Sequence, residues 1–351
     1  MIMKMRKENA FISYFNERTG EYIRTGIIEN SVDTGRDPFM SSFPELLDIG
    51  IMGHCKHGKL GLCQKAGVEC YQDGLHACNQ NMSLEDFAWI AEQCGGETYQ
   101  FALGGCGDPD QHEHFEEILK ICHEKGIVPN FTTSGLGMTE EIAQLCKAYC
   151  GAVAVSWYRS SYTDRAIKLL LDAGVKTNVH YVLSKDTIEE AFERLERGFG
   201  ADINAVVFLL HKPVGLGTKE QMITPDNERF WELLDFINAY DFPFKIGFDS
   251  GTVPAILSLE KIDGKLLDTC EGARWSAYIS ADMKMMPCSF DNQQNRWTVD
   301  LRDHTIKEAW DSIVFEEFRE HFRLSCPDCD RREICMGGCP IVPEITLCKF
   351  S

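Results

Sequence analysis

Cysteine stands out in this chain, with sixteen among 351 residues, and the cysteines are clustered. Cys55, Cys63 and Cys70 lie in one glycine- and lysine-rich stretch, GHCKHGKLGLCQKAGVECYQ, with Cys78 just beyond it. Cys94, Cys106, Cys122, Cys146 and Cys150 are scattered, none occurs between Cys150 and Cys270, and seven fall in the last 82 residues. Three thiolates, from Cys55, Cys63 and Cys70, can hold three irons of a 4Fe–4S cluster and leave the fourth iron open to a small molecule. A zinc site completed by His54, His57 or Cys78 would use the same loop. The last seven are Cys270, Cys288, Cys326, Cys329, Cys335, Cys339 and Cys348. They include CPDCDRREICMGGC, with two, five and three residues between successive cysteines. That density encodes zinc or iron–sulfur.

The rest of the composition narrows the setting. Lys plus Arg is 35 against 54 Asp plus Glu, a net charge of −19. Such a surface repels phosphate backbones and excludes nucleic acid as a main partner. Hydrophobic residues are 44% and charged ones 25%, ordinary globular proportions. No apolar run approaches the roughly 20 residues of a membrane span, so no membrane partner is expected. Lys4, Arg6, Lys7 and Glu8 interrupt the start, which argues against a secretory signal. The expectation is a cytoplasmic protein with reduced thiols.

The elements that must position the cysteines alternate. Leu46–Met52 reads as a strand ending just before Cys55, and a helix follows from Ser83. Strands at 99–103, 128–132, 152–156, 177–183 and 205–210 each precede a helical pattern. The helices begin near Phe115, Glu140, Thr163, Thr187 and Thr224. Ser83/Asp86 and Thr187/Glu190 have capping-box spacing, and Thr224-Pro225 reads as a cap with a first-turn proline. Continuous apolar strands of this kind are buried on both faces and should be parallel. Six β/α units fit an open doubly wound sheet or a partial barrel with its chemistry at the C-terminal strand ends. Before them, FISYFN and EYIRTGI read as a β-hairpin. After the second strand, Leu103-Gly104-Gly105-Cys106-Gly107-Asp108-Pro109 puts bare backbone beside the same mouth, where glycine permits close approach of a ligand.

With the three-cysteine loop after strand one, Tyr71 directly after its last cysteine and Gly-Gly after strand two, the sequence resembles the radical S-adenosylmethionine (radical SAM) superfamily. The resemblance implies an α/β fold, a partial (β/α)6 TIM-like barrel. It also implies a cluster whose open iron chelates S-adenosylmethionine and a 5′-deoxyadenosyl radical that abstracts a substrate hydrogen. The family's usual loop has three and then two residues between cysteines. Here there are seven and six, which leaves Cys78 as an alternative ligand; Cys55 is preferred because it follows the strand directly. By resemblance Gly104 and Gly105 meet the methionine amino group, Ser134 the ribose, Ser156 and Arg165 the carboxylate, and the backbone of Val182 the adenine. Cys106 is a candidate hydrogen-atom donor. His180, Tyr181, His211, Asp108 and Asp249 are candidate proton-handling groups.

The tail, with TIKEAWDS before it, resembles the seven-cysteine SPASM extension of these enzymes, a loop-rich domain with two auxiliary 4Fe–4S clusters and so three in all. The resemblance assigns Cys270, Cys288 and Cys339 to an inner cluster and Cys326, Cys329, Cys335 and Cys348 to an outer one. Met283 stands where the family often has glycine. No eighth cysteine is evident for the inner cluster; Gly251 stands where one might be sought, and Asp249 is the alternative fourth ligand. The division expected is 1–45, an N-terminal hairpin extension; 46–250, the barrel; and 251–351, the cluster domain. SPASM-bearing relatives mostly crosslink ribosomally made peptides, thioether formation being the favoured case here; others act on small molecules such as sugars. A separate leader-binding protein and a reductase such as flavodoxin or ferredoxin are the further partners implied. The non-enzyme alternative is a zinc- or cluster-bearing interaction protein.

Overall fold

The computed structural model describes residues 3–259, 267–292 and 294–348. Three antiparallel strands come first, β1 (Met3–Lys7), β2 (Ile12–Asn16) and β3 (Tyr22–Arg24), in that spatial order. The expected hairpin is β2–β3. The sequence of β1, MKMRK, gave no sign of a strand because it is short and mostly charged; Met3 and Met5 share an exposed face, and its one buried side chain is Arg6. The Arg6 guanidinium donates to the carbonyls of Phe43 and Glu97 at 2.9 and 2.8 Å, which ties the small sheet to the barrel. A two-residue hairpin follows, β4 (Ile28–Glu29) with β5 (Val32–Asp33).

Seven parallel strands form the barrel: β6 (Leu46–Met52), β7 (Gln100–Gly105), β8 (Val128–Thr133), β9 (Val153–Ser156), β10 (Thr177–Leu183), β11 (Ala205–Leu210) and β12 (Lys245–Phe248). Each is hydrogen-bonded to the next in sequence. The seventh, KIGF, lies beyond the six units read from the sequence. On the other edge β6 pairs in parallel with β13 (Ser276–Ile279), followed by antiparallel β14 (Lys284–Met286) and β15 (Val299–Asp300). One ten-stranded sheet therefore runs from the barrel into the C-terminal region.

Helices 84–94, 115–124, 140–149, 161–172, 188–197 and 228–239 follow β6 to β11. They cover strand faces made by Leu47, Ile49, Phe101, Val155, Val179 and Phe208, all fully buried or nearly so. The opposite faces are not apolar throughout, as continuous runs had suggested. In β8 and β10 burial alternates, and Asn130, Thr132, Asn178 and His180 line cavities within the barrel. Polar residues fit there because the barrel is hollow. Two helix starts also differ from expectation. Thr187 makes no side-chain cap; its hydroxyl donates to Val182 and accepts from the Ser184 N–H, each at 2.8 Å. Glu190 instead accepts from Trp157 Nε1 at 2.9 Å. The helix expected from Thr224 begins at Glu228, capped by Asn227, whose side chain accepts the Phe230 N–H at 3.0 Å.

Candidate functional site

The loop after β6 presents three sulfurs. Cys55 caps the short helix Lys56–Lys59, and its Sγ accepts the Gly58 N–H at 3.1 Å. Cys63 lies in a second short helix, Leu62–Lys65, whose first cap, Gly61, sits at φ +64°. Cys70 Sγ accepts the Gly74 N–H at 3.5 Å. His57 is buried, with Nδ1 3.1 Å from Cys63 Sγ and Nε2 2.7 Å from the Tyr162 hydroxyl. Burial holds the His57 pKa down to about 4, so the ring is neutral. A tautomer with the proton on Nδ1 donates to the sulfur and accepts from tyrosine.

All three thiols line one cavity of about 260 Å³ at the C-terminal strand ends. Burial raises the pKa of Cys55, and it raises that of Cys63 to about 12, with the neighbouring thiols adding to both shifts. A bare trio therefore resists ionising together, whereas N–H donors and a cationic group would favour it. The residues fit a thiolate-held cluster. Among the described residues no three His, Cys, Asp or Glu side chains converge on a single metal ion. Cys78 is exposed and does not line this cavity.

Most of the remaining lining comes from the C-terminal ends of β7, β8 and β9 and from the cysteine loop itself. Gly104, Gly105, Cys106, Ser134, Ser156 and Tyr71 all line the cavity. Gly105 has φ +110°, and a Cβ there would lie 2.4 Å from the Met52 carbonyl oxygen, so only glycine fits this β6–β7 contact. A Cβ on Gly104 would meet nothing within 4 Å. Gly104 is thus the residue that keeps space open. Asp108 accepts the Ser134 N–H and hydroxyl, both at 2.6 Å, and burial pushes its pKa up. Burial also lifts Cys106 to about 11, so it remains a thiol; its Sγ lies 3.5 Å from the Gln72 carbonyl oxygen.

Other expected residues lie elsewhere. Arg165 is exposed on its helix, and Val182 does not line the cavity. Asp249 is outside it too, in an ion pair with Lys212 and accepting from the Leu210 N–H and the Thr252 hydroxyl, each at 3.1 Å. Both Lys212 and Asp249 lie close enough to Cys339 to act on its thiol. His180 lines a separate cavity of about 430 Å³ at the N-terminal strand ends. The Tyr181 hydroxyl donates to the Thr187 carbonyl at 2.7 Å, and His211 Nε2 is 2.9 Å from the Thr218 carbonyl. Sequence reasoning missed Asp48, Gln72, Tyr158, Tyr278 and Ser289 on the cavity wall.

The C-terminal cysteines fall into two groups. Cys288 feels both Cys270 and Cys339, and Cys335 feels Cys326 and Cys348, in each case raising the thiol pKa beyond the effect of burial. Burial lifts Cys270, which is half-buried, to about 12. The Val342 N–H donates to Cys339 Sγ at 3.4 Å. Met283 has φ +66°, the left-handed backbone that glycine adopts without strain.

Residues 270–330 match the family model SPASM, an iron–sulfur cluster-binding domain. The PqqA peptide cyclase of Methylocella silvestris is 24% identical over 333 residues, covering 83% of this chain and 82% of its own. The chain therefore carries a SPASM match and is similar over most of its length to a peptide cyclase. Solved structures share the fold. SuiB of Streptococcus suis, bound to its precursor peptide SuiA, aligns with a TM-score of 0.70 at 15% identity, covering 99% of this chain and 100% of that one. The enzyme anSMEcpe, with bound AdoMet and the Cp18Cys peptide, aligns with a TM-score of 0.61 at 17% identity, covering 88% of this chain and 91% of that one. Among the described residues, no helix is long and apolar enough to cross a membrane.

Proposed function

We propose that this chain is a radical SAM enzyme that modifies a ribosomally made peptide, forming a thioether between a cysteine and a second residue. The observation that carries the reading is the cavity itself. It gathers three thiols, Gly104 and the Asp108–Ser134 pair around one space, with Asp48 on its lining and close enough to act on Cys288 of the second cysteine group. The peptide-acting relatives SuiB and the PqqA peptide cyclase support the substrate class. When bound, S-adenosylmethionine on the cluster supplies a 5′-deoxyadenosyl radical that takes a hydrogen atom. Cys55, Cys63 and Cys70 would hold that cluster, and Gly104 would leave room for the methionine end. Ser134 and Ser156 offer hydroxyls toward the same space. Cys270, Cys288 and Cys339 would hold an inner auxiliary cluster, and Cys326, Cys329, Cys335 and Cys348 an outer one. Thioether formation breaks one C–H and one S–H bond and makes one C–S bond; the radical takes the C–H hydrogen atom, the S–H proton goes to solvent, and an auxiliary cluster would suit the one remaining electron. The units proposed are 1–45, 46–250 and 251–351, the last continuous with the barrel sheet through β13.

The test is metal and product analysis after anaerobic purification. Three clusters require about twelve irons per chain, and reduced protein with S-adenosylmethionine should release 5′-deoxyadenosine. About two zinc ions without sulfide would instead support the interaction-protein reading. With a co-expressed cysteine-containing peptide, mass spectrometry should find thiols lost to alkylating reagents. Gly251→Cys should suppress that product. A Cβ there comes within 3.2 Å of Ile345 Cδ1, a methyl that can shift. Product with every thiol free would sink the thioether but not the radical.

A further inference from the structure

The seven residues between Cys55 and Cys63 make room for the one-turn helix Lys56–Lys59, and that helix brings a side chain to the sulfurs. Cys55 and Cys70 receive backbone N–H groups, from Gly58 and Gly74. Cys63, beyond its own backbone N–H, has the imidazole of His57, with Nδ1 3.1 Å from Sγ. Of these contacts it is the one that a substitution can delete.

The His57 ring is closely held. It is 1% exposed. The Tyr158 ring packs against it with centroids 4.4 Å apart, and Tyr162 meets it edge-on at 5.6 Å. On the next residue, Gly58, a Cβ would lie 2.3 Å from the Gly74 carbonyl oxygen, so the short helix is pressed against the chain that follows Cys70. The Tyr162 hydroxyl lies 2.7 Å from Nε2, and Ser160 offers that oxygen a hydrogen bond of its own. The phenol proton is thus left for Nε2, which accepts it, and the imidazole proton sits on Nδ1, facing Cys63. A thiolate has no proton to give, so for the neutral ring this tautomer alone satisfies both contacts.

Negative charge on the sulfurs grows when an iron–sulfur cluster takes up an electron, and a hydrogen bond to a charged acceptor is the stronger one. Donors to the sulfurs therefore favour the reduced state and raise its potential. We propose that His57 raises the reduction potential of the cluster on Cys55, Cys63 and Cys70 through its Nδ1–H bond to Cys63 Sγ, and that Tyr162 is the positioning residue that fixes the tautomer. The wide loop then has a purpose, to carry a side-chain donor to a cluster that must be reduced before it can act. This rests on the reading of the three cysteines as cluster ligands given above.

The test is a redox titration of the anaerobically reconstituted full chain, followed by electron paramagnetic resonance. The signal to follow is the one missing when Cys55, Cys63 and Cys70 are all replaced by Ala, so no turnover is needed. At a fixed potential His57→Phe should lower the reduced-to-oxidised ratio about tenfold, a shift of about −59 mV for one electron. His57→Asn, whose amide N–H can stand where Nδ1 does, should stay within about twofold of wild type. Tyr162→Phe should lower the ratio about threefold, because Nε2 then loses the proton donor that fixes the tautomer. Iron content and circular dichroism report whether each variant is folded and loaded. An unchanged potential in His57→Phe, or a potential in His57→Asn as low as in His57→Phe, would overturn the proposal. So would loss of about four irons from folded His57→Phe, which would make His57 a ligand rather than a donor. If His57→Phe does not fold, Tyr162→Phe, which leaves the loop untouched, decides alone, and an unchanged potential there overturns the proposal. A wild-type spectrum identical to that of the triple Ala variant would sink the cluster assignment and this proposal with it. Absence of 5′-deoxyadenosine from wild-type enzyme would sink the radical reading separately and leave the comparison of potentials standing.

Discussion

Cys55, Cys63 and Cys70 reach one cavity from within sixteen residues of chain, whereas Cys270, Cys288 and Cys339 are gathered from seventy. The first group is made by local turns: a cysteine cap, a left-handed Gly61 and N–H donors a few residues away. The second depends on tertiary packing. Cys270 and Cys288 flank the β13–β14 hairpin, and Cys339 comes from a separate loop beyond the helix Ile313–Leu324. Two fully buried arginines brace that arrangement. Arg274 donates to the Cys270 carbonyl at 3.1 Å and the Phe39 carbonyl at 2.8 Å. Arg319 donates to the carbonyls of Ala273 and Trp310 at 2.7 and 2.8 Å. A local site tolerates unusual spacing as long as each turn closes, which accounts for a loop with seven and six intervening residues. A site assembled from distant segments depends on the sheet that assembles it.

The contrast can be broken most severely at the loop. Replacing Cys55, Cys63 and Cys70 together by Ala should remove about four of twelve irons and abolish 5′-deoxyadenosine formation; surviving cleavage would show that the trio is misassigned. Replacing Cys270, Cys288 and Cys339 should also remove about four irons. It should stop peptide product formation while reducing S-adenosylmethionine cleavage far less, a split that chromatography of both products reads directly. A smaller effect separates the two glycines. Gly104→Val adds bulk to open space and should weaken S-adenosylmethionine binding about tenfold with iron content near normal. At Gly105 the same change strains backbone and should also lower stability, by about 1–3 kcal/mol, measured by denaturant titration. The smallest effect expected is at Cys78, exposed and off the cavity, where Ala should leave iron content and cleavage within error. Loss of cleavage there would move the first group one cysteine along the chain.

The features legible in the sequence were the ones with short-range causes. Apolar runs marked β6 to β11, Ser83 caps its helix by accepting the Asp86 N–H, and the Gly104–Gly105 segment marked one cavity wall. What could not be read depends on partners far away in the chain. Tyr278 belongs to the cavity because β13 pairs in parallel with β6, more than two hundred residues earlier, and neither strand announces the other. Asp48 is the one charged residue in a strand read as apolar. Only the hollow barrel turns that position into a wall. Thr187 and Glu190 had the right spacing for a capping box, yet the turn just before the helix took the Thr187 hydroxyl and distant Trp157 took the Glu190 carboxylate.

The pairing of β13 with β6 also bears on how this protein can be divided. A chain cut after residue 250 would lose β13 and leave LLDIGIM of β6 as an uncovered sheet edge. That segment is rich in β-branched and apolar residues, with Asp48 as its one charge. Exposed edges of this composition recruit other strands. The C-terminal region therefore acts as an edge guard as well as a cluster carrier, and the isolated barrel should aggregate where the whole chain stays dispersed.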